Sequence, residues 1–100
     1  MEYAIENEYL IVTVTTWGAQ VKSVIRKFDD VEHMWQADKS VWGYHAPILF
    51  PHTGKVVDDL IETKGEVYQA KQHGFARLME HTLVRQTEDT IVMELRSSEE

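Results

Sequence analysis

The chain has 100 residues, a formal charge of −7 and no cysteine. This length accommodates one hydrophobic core, and the missing thiols remove disulfides, thiolate catalysis and cysteine-based zinc sites together, which fits a cytoplasmic protein. The acidic excess opposes a nucleic-acid partner, because that affinity comes from lysine and arginine displacing counterions; no run approaches the roughly 20 apolar residues that span a bilayer, and no secretory signal pattern is present.

β-branched and aromatic residues recur in short segments separated by turn signals, the pattern of an all-β protein. Residues 9–15 (YLIVTVT) read as a strand ending at Trp17-Gly18, followed by a returning strand over residues 21–25. Asp29-Asp30 marks the next turn, before a strand over residues 32–36. Residues 37–43 lack sustained helical periodicity and predict at most a single helical turn. Pro47 and Pro51 bracket Ile48-Leu49-Phe50; proline fixes φ and donates no hydrogen bond, so this segment reads as an extended, buried connection. Residues 60–63 and 66–70 flank Lys64-Gly65 as a two-residue hairpin, and residues 83–86 and 91–95 flank Glu88-Asp89-Thr90 as a second. Arg96-Ser97-Ser98-Glu99-Glu100 resembles the start of a loop, and a sheet cut there would leave edges unpaired. These features predict a single domain over residues 1–100, or the first part of a larger one.

His73, within Gln72-His73-Gly74-Phe75-Ala76-Arg77, is the leading chemical candidate, because imidazole exchanges protons near neutral pH and hydrogen-bonds sugar hydroxyls. Gly74 would let a ligand approach the backbone. Taken alone, a histidine beside a glycine is more often structural or exposed, and Arg77 is as well suited to a neighbouring carbonyl as to a ligand. Lys55 after Gly54 offers a cation to the same pocket, or is a solvated loop lysine. Asp58 and Asp59 are adjacent, so in a strand they face opposite ways and do not form a paired-carboxylate site. His33, His45, His52, His73 and His81 show no metal-ligand spacing, so no metal site is expected. Neither a GxSxG elbow nor a glycine-rich phosphate loop is present. Trp17, Trp35 and Trp42 read as core, with Trp35 or Trp42 as the alternative aromatic wall of a sugar site.

Several motifs together resemble the N-terminal part of the aldose 1-epimerase, or galactose mutarotase-like, family, in its lactose-operon-associated branch. They are Trp17-Gly18-Ala19-Gln20, Met34-Trp35-Gln36, Pro47-Ile48-Leu49-Phe50-Pro51, Gly54-Lys55, the stretch from Gly65 to Tyr68, and Gln72 to Arg77. The resemblance implies part of an antiparallel β-sandwich, an aldose sugar partner and cofactor-free interconversion of anomers by acid-base catalysis. It implies that His73 holds and polarises the sugar as a catalytic residue, with Arg77 and Lys55 as further substrate-binding residues. Lys55 stands where many relatives have arginine, and Asp59 where the galactose-mutarotase branch has a sugar-contacting arginine. The family's second histidine and glutamate base lie downstream, and residues 78–100 do not supply their contexts. The alternative reading is a non-catalytic β-domain that binds carbohydrate or self-associates through exposed sheet edges.

Overall fold

The computed structural model describes residues 1–96, an all-β, antiparallel arrangement with two 3-10 segments. Strands β1 (Glu2–Glu6), β2 (Leu10–Thr15), β3 (Gln20–Arg26) and β4 (Val31–Glu32) form a meander in which each strand pairs with its neighbour in sequence. Residues rich in valine, isoleucine and threonine fit the pleat, and local side chains close the turns. The Asn7 carboxamide oxygen accepts from the N–H groups of Tyr9 and Leu10, each at 2.8 Å. Pairing places Tyr3, Val14 and Val21 in one cross-strand row, and Ile5, Val12 and Val24 in another.

β1 was not among the expected strands, although Glu2-Tyr3-Ala4-Ile5-Glu6 carries the alternation of a half-exposed strand in only five residues. The strand expected over residues 32–36 ends at Glu32. Beyond it, Gln36 donates to the Met34 carbonyl and Ala37 takes φ +57°, so local bonds carry the chain off the sheet. Residues 38–42 make one helical turn: the Val41 and Trp42 N–H groups donate to the Asp38 carbonyl.

β5 (Leu60–Thr63) and β6 (Glu66–Gln69) form the expected hairpin, with Lys64 at φ +51° and Gly65 at φ +79°, the signs of a type I′ turn. β7 (Thr82–Gln86) and β8 (Ile91–Glu94) form the second hairpin, closed by the Thr87 N–H donating to the Thr90 carbonyl. Of the loop expected at the end of the chain, residues 97–100 lie outside the described part. Long-range bonds stitch the pieces together: Gly18 N–H to the Met79 carbonyl and His81 N–H to the Thr16 carbonyl, both at 2.7 Å. Glu6 N–H to the Glu88 carbonyl joins β1 to the second hairpin.

The core is small. Among the described residues, only Ala70 and Ala76 are buried apolar side chains, and the molecule is a slab of 54 × 33 × 17 Å. An apolar sheet face needs a second layer against which to bury itself, and a slab this thin supplies little of one. Two expectations are corrected on this ground. Ile48-Leu49-Phe50 is an extended connection but is exposed rather than buried, with Phe50 at 55%. Trp17, Trp35 and Trp42 are likewise exposed and form no core among the described residues. No helix among the described residues is long and apolar enough to cross a membrane.

Candidate functional site

The sequence motifs at residues 50–55 and 72–77 meet through their backbones. Phe50 and Gly74 form a parallel bridge, and the Phe50 carbonyl accepts from the N–H groups of Phe75 and Ala76 at 3.0 and 3.2 Å. Gly74 sits at φ +77°, and a Cβ there would lie 2.1 Å from the Phe50 oxygen. The glycine therefore admits the chain's own Phe50-Pro51 backbone, rather than the ligand expected beside it.

Next to it, His73 adopts φ +64°, a left-handed conformation that costs a non-glycine residue roughly 1–3 kcal/mol. Two bonds to Gly54 hold it there. The His73 N–H donates to the Gly54 carbonyl, and the Gly54 N–H donates to His73 Nδ1, both at 2.8 Å. A backbone N–H can only donate, so Nδ1 is an acceptor and the proton of the neutral ring resides on Nε2. The half-buried imidazole thus presents a donor at its free nitrogen, and Lys55 follows on the same loop, exposed.

Arg77 lies in the 3-10 turn Ala76–Leu78. Its Nη2 donates to the Gln72 carbonyl at 3.0 Å, and its guanidinium stands 4.9 Å from the centre of the Tyr44 ring. Its Nε is buried without a partner among the described residues. Tyr44 packs against Trp42 at 5.9 Å, and the Trp42 carbonyl accepts from Trp35 Nε1 at 2.8 Å. Of the residues grouped by motif, Gly54 and His73 meet directly, whereas the aromatic platform under Arg77 has no motif of its own. Asp58 and Asp59, both at positive φ, lie in the turn Val57–Asp59.

His52 was also not singled out beyond the histidine count. Both of its ring nitrogens are buried without a partner among the described residues. It lines a cavity of about 590 Å³ whose apolar wall includes Ile61, Phe75, Leu78 and Met79. Tyr68 lies on the same wall and donates to Glu66 at 2.7 Å, which raises the phenol above its ordinary pKa. No group of three or more histidine or carboxylate side chains among the described residues is arranged to hold a metal ion.

The sequence model of the family described as Aldose 1-epimerase matches residues 1–100. The chain belongs to the aldose 1-epimerase family. Among its relatives is the plasmid-encoded protein LacX of Lactococcus lactis subsp. lactis, 33% identical over 105 residues, an alignment covering all of this chain and 35% of LacX. A galactose mutarotase related enzyme from Lactobacillus acidophilus superposes with a TM-score of 0.96 at 39% identity, over 99% of this chain and 33% of that one. A galactose mutarotase-like protein from Lactobacillus casei gives 0.87 at 32% identity, over 93% of this chain and 32% of that one. The chain therefore has a galactose mutarotase-like fold and spans about a third of the length of these members of the aldose 1-epimerase family.

Proposed function

We propose that the chain contributes the His73 side of an aldose-binding site, and that in a full-length parent this site interconverts sugar anomers. The observation that carries the reading is the pair of bonds between His73 and Gly54, which leaves Nε2–H as a fixed donor beside a loop bearing Lys55. Anomer interconversion breaks a hemiacetal. A base removes the anomeric hydroxyl proton, the ring oxygen is protonated, the aldehyde rotates and the ring closes on its other face. A donor such as Nε2–H stabilises negative charge as it develops on a sugar oxygen, and Lys55 and Arg77 supply further polar contacts. The reading needs no cofactor, takes an aldose as partner and places the protein in cytoplasmic carbohydrate metabolism.

Polarimetry of freshly dissolved α-glucose and α-galactose tests this. The chain is compared with a chimera in which the remaining two-thirds of the Lactobacillus acidophilus relative follows residue 100. The chimera is expected to accelerate mutarotation, and His73→Ala to reduce that acceleration by about 100-fold or more. A chimera that works equally well with alanine at position 73 would remove His73 from the chemistry.

A second reading, a β-domain that binds sugar without catalysis or associates with itself, is favoured by the exposed apolar surface at Phe50, Val57 and Phe75. Sedimentation of the 100-residue chain separates the two. A concentration-dependent dimer would favour self-association, whereas a monomer that bound sugar but turned over none, alone or in the chimera, would favour the binding module.

A further inference from the structure

We infer that Gln20 and Tyr44 are positioning residues for His73, acting through Arg77. Both ends of this linkage start where β2 turns into β3, one from Gly18 in the turn and the other from Gln20 at the start of β3. Gln20, only 5% exposed, uses its side-chain oxygen to accept from two successive backbone N–H groups, His45 at 3.0 Å and Ala46 at 3.2 Å. That pair anchors the irregular segment carrying Tyr44 to the first residue of β3. The turn just before it holds the other partner, since the Gly18 N–H donates to the carbonyl of Met79, two residues beyond Arg77. The Tyr44 ring and the Arg77 guanidinium are thereby brought to 4.9 Å, a cation-π distance.

The consequence reaches His73 through one peptide unit. The carbonyl of Gln72 accepts from Arg77 Nη2, and the N–H of the same peptide, that of His73, donates to the Gly54 carbonyl. Because a peptide is planar, fixing its oxygen on one side and its hydrogen on the other fixes its orientation. That orientation bears directly on the φ of His73, the strained angle that brings Nδ1 to the Gly54 N–H. Loss of the Tyr44 ring frees Arg77, and with it one of the two restraints on this peptide. Loss of the Gln20 acceptor frees Tyr44.

The functional meaning of this linkage rests on the sugar-site reading, but its physical content does not, so it is tested on the 100-residue chain without sugar. Amide hydrogen exchange at Gly54 and His73 and the imidazole nitrogen shifts of His73 are measured by NMR in Tyr44→Leu, Tyr44→Phe and Gln20→Leu. In Tyr44→Leu and Gln20→Leu, exchange at both amides is expected to quicken about tenfold or more, with the Nδ1 shift moving away from its hydrogen-bonded position. Protection in the β2–β3 ladder should hold in Tyr44→Leu, and Tyr44→Phe, which keeps the ring, should match the parent. Unchanged exchange at Gly54 in Tyr44→Leu overturns the inference. So does a Tyr44→Phe variant as perturbed as Tyr44→Leu, or an equal loss of protection across β2 and β3 in Tyr44→Leu. Failure of the chimera in polarimetry would instead count against the sugar-site reading and leave the exchange result standing.

Discussion

Residues 2–32 and residues 44–81 are built in opposite ways. The first region is a meander whose strands each pair with their sequence neighbour through turns of a few residues, with side chains such as Asn7 and Asp29 closing the turns. The second contains one hairpin and two 3-10 segments, and its defining contacts join residues far apart in sequence, Phe50 with Gly74, Gly54 with His73 and Tyr44 with Arg77. In the meander, regular ladder bonds and half-buried β-branched side chains spread the stabilisation over many positions. In the site region it is concentrated at a few backbone approaches, which also hold one histidine in a strained conformation. Local redundancy makes the ladders of the first tolerant of change except at Gly18 and Gln20, which reach across to the second, and single contacts make the second sensitive to it.

Replacing Gly74 strains that contrast most. Gly74→Ala would force a Cβ to within 2.1 Å of a backbone oxygen at φ +77°, and flexible side-chain motion cannot relieve a clash with main chain. We expect a loss of about 3 kcal/mol or more in urea unfolding followed by tryptophan fluorescence, with the Gly54 amide exposed. A loss below about 1 kcal/mol would show that the site region adapts as readily as the meander.

Gln20→Leu comes next, because it strands the N–H groups of His45 and Ala46. An unsatisfied buried donor costs about 1–3 kcal/mol, so a loss of about 2 kcal/mol is expected by the same measurement. No change would mean that water replaces the carboxamide. Gly65→Ala is the milder control for Gly74. Its φ is +79°, but nothing lies within 4 Å of an added Cβ, so only the backbone preference is lost, about 1 kcal/mol. Equal costs at the two glycines would refute the distinction between a close approach and a turn.

The smallest effect concerns pH and the exposed edge of the meander. Arg26 Nη2 bonds Asp29, and this hydrogen bond holds the Asp29 carboxyl below its ordinary value. A depressed carboxylate contributes stability that is complete above its unfolded-state value and is lost as pH falls through the lower, folded-state one. The pair is exposed, so solvent screens it and the contribution is slight. In carboxyl-detected NMR titration, Arg26→Ala should move the Asp29 midpoint upward, and an unmoved midpoint would assign the depression to the Val31 backbone bond instead.

Much of the all-β fold was legible from local chemistry. Lys64-Gly65 specifies its hairpin because an adjacent pair at positive φ matches the strand twist, and YLIVTVT specifies β2 because branched side chains suit the pleat. β1 carries only a weak signal because five alternating residues show little periodicity, and residues 33–36 leave the sheet because the Gln36 side chain bonds back to Glu32 and to the Met34 carbonyl, contacts that propensity does not register. The candidate site was legible as residue types in order, with His73, Arg77 and Lys55 named from their motifs. What Gly74 and Gln20 do was not, since the same glycine can admit a ligand or a neighbouring strand and the same carboxamide can face solvent or hold two amides.

The sequence by itself determined β2, β3, the two hairpins with their turns and the family resemblance, because these follow from propensities, glycine positions and motif order within short windows. Only the tertiary structure decided that Ile48, Leu49 and Phe50 lie exposed, that Nδ1 of His73 is committed to Gly54 and that Arg77 rests on Tyr44. Those outcomes depend on which distant segments meet, and a contact between residues 19 or 33 positions apart leaves no periodic trace in the chain.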